Sequence, residues 1–292
     1  MIIFSYLLYY LIIIPVSLLP FPVLYLLSDF LFLIFYSVVG YRKKVVFSNL
    51  KNSFPEKSEK ELQEIMRKFY HHFCDIVVET LKSFTISQEQ IRKRMVLENP
   101  EILEPYYKKQ QSVILAGGHY NNWEWIATGA GHQMKHQAIA VYKTLTNRFF
   151  DEKMRTTRSK FGLLMISTRK VAETLLQWKD QPTATIFAFD QSPSKSAKNF
   201  WMKFLNQDTA MLFGTEKYAK EYNYPVFFGY IDKHKRGYYS FRLVLVTDTP
   251  LQTAYGDITE KINHLLEDEI KVAPEYWLWT HRRWKHKKPV HQ

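Results

Sequence analysis

Apolar residues dominate the first forty positions of the chain, in two runs that a proline separates. The runs cover residues 2–19 and 21–39, and Pro20 lies between them. Each run is close to the ~20 apolar residues that a helix needs to cross a bilayer. The second run contains Asp29, a carboxylate that is costly in lipid. A single crossing by residues 2–19 is therefore favoured, with residues 21–39 against the membrane interface or the folded domain.

The charges that follow this region predict its orientation. Residues 1–41 contain no Lys or Arg, and Arg42, Lys43 and Lys44 come directly afterwards. Basic residues beside a membrane segment favour the cytoplasmic side. The segment lacks the basic start and the small-residue cleavage site of a secretory signal peptide. We therefore expect an uncleaved anchor at residues 1–40 and a cytoplasmic remainder, while a hairpin with two crossings stays open.

Beyond the anchor, the apolar residues first recur at a helical spacing. Ser58 and Glu61 form a capping-box pattern, and apolar residues then follow three or four positions apart. This spacing predicts an amphipathic helix over about residues 58–84. Cys74, the one cysteine of the chain, falls inside this helix. It is expected to be a small buried apolar residue rather than a nucleophile.

From about residue 112, short apolar runs alternate with helix-like stretches. The runs expected to form strands are 112–116, 138–142, 163–167, 184–189, 225–231 and 240–246. The stretches expected to form helices are 122–130, 147–160, 169–178, 209–222 and 255–271. The alternation predicts an α/β domain with a partly parallel, mixed sheet flanked by helices. This domain is expected to span residues 41–285 and to end in a basic tail at 286–292.

The stretch GGHYNNWEW, residues 117–125, places polar side chains at the end of an expected strand. Sites in open α/β sheets lie at such ends. His119 and Glu124 would point about 140° apart on one continuous helix, so they meet only if His119 lies in the turn before it. Asn121 or Asn122 can cap that helix. A carboxylate on one imidazole nitrogen would fix the tautomer while the other nitrogen takes a proton.

The spacing of His119 and Glu124 alone does not separate a catalytic pair from a structural turn. Ten histidines and 28 acidic residues in 292 give about one chance match to this spacing. The position after two glycines at a strand end is what favours catalysis.

The net charge of the chain, +12, favours an anionic partner. Nucleic acid, an acidic protein and an anionic membrane all fit, but a nucleic-acid binder needs no apolar anchor and no binding motif is visible. The sequence contains no metal-ligand cluster and no phosphate-binding glycine loop, so neither a metal nor a cofactor is expected. Basic residues at 282–288 beside Trp277, Trp279 and Trp284 are typical of a membrane interface, with a solvated tail as the alternative.

These motifs resemble those of a known family. GHYNNWEW looks like the His-x4-acid block of the late, or secondary, acyltransferases of lipid A biosynthesis. Arg158 to Gly162 resembles the Arg-x-x-x-Gly motif of that family, Asp190-Gln191 its Asp-Gln, and PEYWLWTHRRWK at 274–285 its Trp-rich signature. The likeness covers nearly the whole chain, including 41–73 and 141–150. The sequence departs from the family where Asn121 replaces Gly, Lys143 replaces Arg and Thr144 replaces Pro, and where residues 201–206 replace Phe-Phe-Gly.

The resemblance implies a fold like that of glycerolipid acyltransferases, with an N-terminal transmembrane helix. It also implies transfer of a fatty acyl chain from acyl carrier protein to a lipid A precursor at the cytoplasmic side of the inner membrane. His119 would be the general base and Glu124 its orienting partner. The residues expected to bind substrate are Asn122, Arg158, Asp190 and Gln191, with Arg158 as a clamp on an anionic group. Another lipid acceptor, a thioesterase and an inactive scaffold are the alternatives.

Overall fold

A seven-stranded sheet forms the centre of the fold in the computed structural model, which describes residues 2–194 and 199–289. The last three residues of the expected basic tail, 290–292, lie outside the described residues. The strands of this sheet are β1 (Met95–Leu97), β2 (Val113–Gly117), β3 (Gln137–Tyr142), β4 (Leu164–Ser167), β5 (Thr183–Ala188), β8 (Val226–Lys235) and β9 (Tyr238–Thr247). A separate hairpin contains β6 (Phe200–Phe204) and β7 (Gln207–Met211).

Helices cover the sheet and precede it. They are α1 (Ile2–Leu8), α2 (Ile14–Leu18), α3 (Phe21–Phe32), α4 (Lys43–Ser53), α5 (Glu59–Lys82), α6 (Gln88–Arg94), α7 (Glu104–Lys108), α8 (Trp123–Gly129), α9 (Arg148–Ser159), α10 (Val171–Gln177), α11 (Gly214–Tyr222) and α12 (Asp257–Val272). Two π-helical turns, Tyr9–Ile13 and Leu33–Val38, join α1 to α2 and extend α3. The predicted capping box at the start of α5 is confirmed, since Ser58 N donates to Glu61 Oε2 at 2.8 Å and Glu61 N donates to Ser58 Oγ at 3.3 Å.

The order of the strands, β1-β9-β8-β2-β5-β3-β4, places β2 at the centre between β8 and β5. Every neighbouring pair is parallel except β8 and β9, which are antiparallel. Residues 113–116 of β2 are buried on both faces of the sheet, as the continuous apolar run in the sequence indicates. The predicted mixed sheet flanked by helices is therefore confirmed.

The sequence misplaced one region, the β6–β7 hairpin. Residues 209–222 were expected to form one helix, but 207–211 form β7 and the helix α11 begins only at Gly214. The hairpin turns at Leu205 and Asn206, which both have positive φ angles of 48° and 64°. Two successive left-handed residues match a two-residue hairpin turn, for which the sequence Leu-Asn is a weak signal.

The apolar N-terminal segment packs along the domain. Helix α3 lies beside α5, and their contacts include Tyr25 Oη to Glu79 at 2.9 Å and Ser28 Oγ to Asp75 at 2.7 Å. By length and composition, Phe21–Val38 is the one helix within residues 2–194 and 199–289 that is long and apolar enough to cross a membrane. The helix Ile3–Leu18, within the run that the sequence favoured for the crossing, is shorter.

Candidate active site

Two adjacent parallel strands bring His119 and Asp190 together. Gly117 at the end of β2 pairs with Ala188 at the end of β5, so both strands end at the same edge of the sheet. His119 and Asp190 each lie two residues beyond these partners. The His119 Nδ1 atom lies 2.6 Å from Asp190 Oδ1, and the backbone N–H of His119 donates to Asp190 Oδ2 at 2.8 Å. The carboxylate therefore holds both the ring and the backbone of the histidine.

The Trp-rich C-terminal segment supplies a third hydrogen bond to Asp190. Trp277 Nε1 donates to Asp190 Oδ2 at 2.8 Å. The same segment pairs with the histidine turn, where Leu278 N donates to the backbone oxygen of His119 at 3.2 Å. Trp277, Trp279 and Arg283 are each at most 2% exposed. The expectation that these three residues lie at a membrane interface is therefore wrong, because all three are buried inside the domain.

The other imidazole nitrogen of His119 faces Gln191. Because an ionised carboxylate only accepts hydrogen bonds, Nδ1 of the neutral ring carries the proton and Nε2 keeps its lone pair. The Gln191 Nε2 amide lies 3.1 Å from this Nε2 atom and donates to it. The His119 side chain is 17% exposed, whereas that of Asp190 is 2% exposed. Nε2 is therefore the nitrogen that is free of the carboxylate, and its contact is with an uncharged amide.

Charge and burial act on His119 in opposite directions. Burial opposes the charged ring and lowers the pKa of His119, but the Asp190 carboxylate and its hydrogen bond outweigh this, so the net shift is upward. Burial also acts to raise the pKa of Asp190, yet the partners of its carboxylate hold that pKa well below the usual range. Asp190 is consequently ionised at neutral pH, and it stabilises a protonated His119.

Glu124 pairs with Arg158 instead of His119. Arg158 Nη2 donates to both carboxylate oxygens of Glu124 at 2.8 Å, and Arg158 Nε donates to Oε2 at 3.0 Å. The predicted contact between Glu124 and the imidazole is thus replaced by the contact with Asp190. Glu124 remains close enough to raise the pKa of His119, while Arg158 lowers it.

The side chain of Asn122 has a structural role beneath the histidine turn, where it is bonded to other buried groups. Its Oδ1 accepts a hydrogen bond from Trp125 N at 2.9 Å, which confirms the predicted cap of α8. Its Nδ2 donates to Glu79 Oε2 at 2.7 Å. Since the side chain is fully buried, it offers no surface to a substrate, which speaks against the predicted binding role. Glu79, which the sequence did not single out, also accepts from Tyr239 Oη at 2.9 Å.

Two residues of the histidine turn have backbone requirements. A Cβ atom on Gly118 would lie 2.7 Å from Leu266 Cδ1 of α12, so any other residue there would have to displace this buried leucine. Asn121 has a φ angle of 47°, in the left-handed region. Asparagine is among the few residues other than glycine that adopt this conformation readily. The departure from the usual Gly at position 121 therefore keeps the backbone geometry of the turn.

His281 is a further histidine near the site that sequence reasoning missed. Its Nε2 accepts a hydrogen bond from the backbone N–H of Ser192 at 3.0 Å, directly after Gln191. Burial lowers the pKa of His281 to about 4, so the ring stays neutral and can accept. The sequence feature that could have identified His281 as a site residue is its position between Trp279 and Arg283 in the Trp-rich segment.

Comparisons with known proteins agree with the motifs. The profile of the bacterial lipid A biosynthesis acyltransferases matches residues 1–286. A lipid A biosynthesis lauroyltransferase of Escherichia coli is 24% identical over 270 residues, which cover 91% of this chain and 87% of that protein. A lipid A biosynthesis palmitoleoyltransferase of Escherichia coli is 23% identical over 271 residues, which cover 91% and 86%. A lipid A biosynthesis acyltransferase of Haemophilus influenzae is 24% identical over 272 residues, with the same coverage. The chain therefore belongs to the bacterial lipid A biosynthesis acyltransferase family and is an acyltransferase.

Proposed function

We propose that the protein transfers a fatty acyl chain from acyl carrier protein to a hydroxyl group of a lipid A precursor. The observation that carries this proposal is the orientation of His119, whose Nδ1 is bonded to Asp190 while Nε2 keeps its lone pair and meets only the Gln191 amide, on a side chain that is 17% exposed. A neutral histidine held in this tautomer is suited to removing a proton from a hydroxyl group.

The reaction needs no covalent enzyme intermediate, because an acyl thioester is already activated. The hydroxyl group of the acceptor would replace the Gln191 amide at His119 Nε2 and give its proton to that nitrogen. The resulting oxygen attacks the thioester carbonyl, and the tetrahedral intermediate then expels the thiolate. The proton on Nε2 passes to the thiolate, so the products are an ester and a free thiol. Base catalysis of this kind contributes about 10²–10⁴-fold.

Asp190 would assist this step by stabilising the imidazolium that forms. Its three hydrogen bonds, from His119 Nδ1, His119 N and Trp277 Nε1, hold the carboxylate in place without reorganisation. In this proposal Asp190 and Gln191 line the reacting centre, and Glu124 acts through Arg158.

Arg158 is the proposed contact for an anionic group of a substrate. Its three hydrogen bonds to Glu124 come from Nε and Nη2, on one side of the guanidinium. Its side chain is partly exposed. A guanidinium that is fixed along one edge can present its other edge to a phosphate or a carboxylate at a small cost in entropy.

The N-terminal residues support attachment of the enzyme to the cytoplasmic side of the inner membrane. Large apolar side chains between residues 3 and 39 are exposed, including Ile3, Leu11, Leu26 and Val38. Exposed apolar area of this extent is typical of a membrane or protein contact. The surplus of basic residues suits both anionic lipids and an acidic carrier protein.

A mass-resolved acylation assay tests the proposal. Detergent-solubilised wild type and His119→Ala would receive acyl carrier protein loaded with several chain lengths, with a tetra-acylated lipid A precursor as acceptor and a lysophospholipid as control. We expect one added acyl mass on the lipid A precursor and its loss in His119→Ala. Acylation of the lysophospholipid alone would overturn the acceptor but keep the mechanism. Free fatty acid formed without any acceptor would indicate a thioesterase, and equal activity of both proteins would exclude His119 as the base.

A further inference from the structure

We call residues 2–39 the N-terminal arm. At the centre of its second helix, α3, polar side chains contact the rest of the domain. Ser28 Oγ donates to Asp75 Oδ1 at 2.7 Å, and Arg236 Nη2 donates to Asp29 Oδ1 at 2.6 Å. Arg236 also donates to Asp75, so it bridges the arm and α5. Lys233 Nζ lies 3.7 Å from Asp75. A cluster of four charged side chains therefore lies beside the middle of the helix that is long enough to span a bilayer.

Helix α5 runs antiparallel to the second helix of the arm along its central turns. Tyr25 contacts Glu79, Ser28 contacts Asp75, and the ring of Phe32 stacks on His71 at 4.2 Å. The 18 residues of Phe21–Val38 extend about 27 Å, close to the ~30 Å hydrocarbon core. If this helix crossed the bilayer, its whole length would lie within the hydrocarbon core. The charged cluster beside its central residues would then lie at the bilayer midplane, where charged groups are costly.

The first helix of the arm is held by the domain in the same way. Asn147 Nδ2 donates to Ser5 Oγ at 2.8 Å, and Lys153 Nζ lies 5.2 Å from the ring centroid of Tyr9. At the end of this helix, Lys82 Nζ donates to the backbone oxygen of Ser17 at 3.0 Å. Polar and cationic groups of the domain thus accompany this helix from its beginning to its end.

The exposed side of the arm is apolar along both helices, and Asp29 lies at its edge with a side chain that is 44% exposed. The side chains that are more than half exposed are Ile3, Phe4, Leu7, Tyr10, Leu11, Ile12, Leu18, Leu26, Phe30, Leu33, Val38 and Val39. Cations border this face: Lys43 Nζ lies 3.9 Å from the ring centroid of Tyr36, and Lys153 Nζ lies 5.8 Å from that of the exposed Tyr10. An apolar face with basic residues at its edges complements a membrane leaflet with anionic head groups.

We infer that neither helix of the arm crosses the bilayer, and that both lie in the plane of one leaflet of an anionic membrane. Only this placement buries the apolar face in lipid while it keeps the charged cluster of Asp29, Asp75, Lys233 and Arg236 outside the hydrocarbon core. The N-terminus then stays on the same side as the active site. The inference rests on the proposed membrane attachment, and it revises the single crossing by residues 2–19 that the sequence favoured.

The arrangement also places the reaction near the lipid surface. The N-terminal end of α9 contacts the arm, since the rings of Phe149 and Tyr6 lie 4.4 Å apart. The same helix carries Arg158, which is bonded to Glu124 near His119. A lipid acceptor could thus reach the site from the leaflet in which the arm lies, without leaving the membrane.

Cysteine labelling in spheroplasts tests the inference on the full chain. The buried Cys74 would first be replaced by alanine. Single cysteines would then be placed before Met1, at Leu18, the last residue of α2 before the turn, and at the exposed Val272 of the domain as a control. A membrane-impermeant maleimide would be applied to intact and to detergent-lysed spheroplasts. We expect all three cysteines to be protected in intact spheroplasts and labelled after lysis.

Two labelling results would overturn the inference. Labelling of the N-terminal cysteine in intact spheroplasts, with position 272 protected, would show one crossing. Labelling of Leu18→Cys under the same conditions would show a hairpin with two crossings. Recovery of the wild-type chain in the soluble fraction would instead refute the membrane attachment itself. Acyl transfer measured on the same variants reports separately on the proposed reaction.

Vesicle flotation provides a second test with a matched pair of variants. Leu26→Glu places a charge on the apolar face of the arm, whereas Leu176→Glu alters an equally exposed leucine of α10. On vesicles of phosphatidylglycerol and phosphatidylethanolamine, we expect Leu26→Glu to reduce binding at least tenfold and Leu176→Glu to leave it unchanged. Equal binding of the two variants would contradict the assignment of this face to lipid.

Discussion

Replacement of Asp190 by asparagine should disable His119 by changing its tautomer. The amide has the same shape as the carboxylate but only one oxygen that accepts. Two N–H groups, from the His119 backbone and the Trp277 indole, already point at Oδ2. If the amide oxygen takes that position, the NH₂ group faces His119 Nδ1, which must then become an acceptor. The proton moves to Nε2, and the base loses its lone pair.

The expected loss is large because the wrong tautomer removes the base entirely. The same change in a serine-protease triad costs about 10⁴-fold in kcat, and general base catalysis contributes about 10²–10⁴-fold. We therefore expect kcat of Asp190→Asn to fall by about 10²–10⁴-fold. Initial rates from the mass-resolved acylation assay would measure this loss.

The pH profile separates this explanation from a simple loss of structure. His119 acts as a base only when neutral, so kcat/KM falls as the pH drops through its pKa. In the wild type Asp190 raises this pKa, which places the acid limb above the usual value of ~6.5. In Asp190→Asn the effect of burial dominates and lowers the pKa of His119. The acid limb of the residual activity should therefore move to lower pH.

Glu124→Gln is the matched control for this prediction. Its carboxylate is bonded to Arg158, so the substitution leaves the tautomer of His119 unchanged. The acid limb should move in the same direction but by less, because Asp190 has the larger effect on the pKa of His119. A larger shift or a larger loss of kcat in Glu124→Gln than in Asp190→Asn would refute the assignment of Asp190 to Nδ1.

Three further substitutions test the support of the site. Gly118→Ala should destabilise the protein by about 1–3 kcal/mol through the clash with Leu266, seen as a lower Tm, whereas Gly117→Ala, where a Cβ meets nothing within 4 Å, should not. Burial raises the pKa of Glu79 to about 7 from 4.5, so the folded state keeps a proton that the unfolded state has released. Tm should then fall as the pH rises through this interval, and Glu79→Gln should flatten the decline. Arg158→Lys removes the two-pronged contact with the carboxylate beside it and should raise KM for an anionic substrate; an unchanged KM would contradict the clamp.

The position of His119 could be predicted because its signals are local. The buried run of β2 marks a central strand, and the two glycines mark a turn at its end. The cap at Asn122 likewise depends on residues within three positions, and the structure confirms it. Short-range chemistry of this kind is readable from one sequence.

The sequence predicted the wrong partner for His119, because the identity of the true partner depends on the order of the strands in the sheet. Asp190 lies 71 residues away in the sequence and reaches the histidine only because β5 is adjacent to β2. Glu124 lies five positions away, so reasoning from near neighbours preferred it. The run before Asp190 was recognised as a strand, but its place in the sheet could not be deduced from that pattern alone.

Composition also misled the interpretation of the C-terminal segment. Tryptophan beside arginine is typical of a membrane interface, and the sequence alone offers no partner for either side chain. In the fold, the indole of Trp277 donates to Asp190, and Arg283 Nη1 donates to the backbone oxygen of Ala210 at 2.7 Å. Both side chains are buried because they satisfy acceptors inside the protein, which only the tertiary structure supplies.

The site contains two carboxylates with different contacts, although the His-x4-acid spacing predicted only one. Asp190 is bonded to His119, and Glu124 is bonded to Arg158. Glu124 and Arg158 have opposite effects on the pKa of His119, since the carboxylate raises it and the guanidinium lowers it. As a bonded pair they therefore oppose each other at the imidazole. The protonation of His119 then depends mainly on burial, which lowers its pKa, and on Asp190, which raises it more than Glu124 does. An anion that binds Arg158 would disturb this balance and raise the pKa of His119, so recognition of an anionic substrate and the strength of the base are linked through one ion pair.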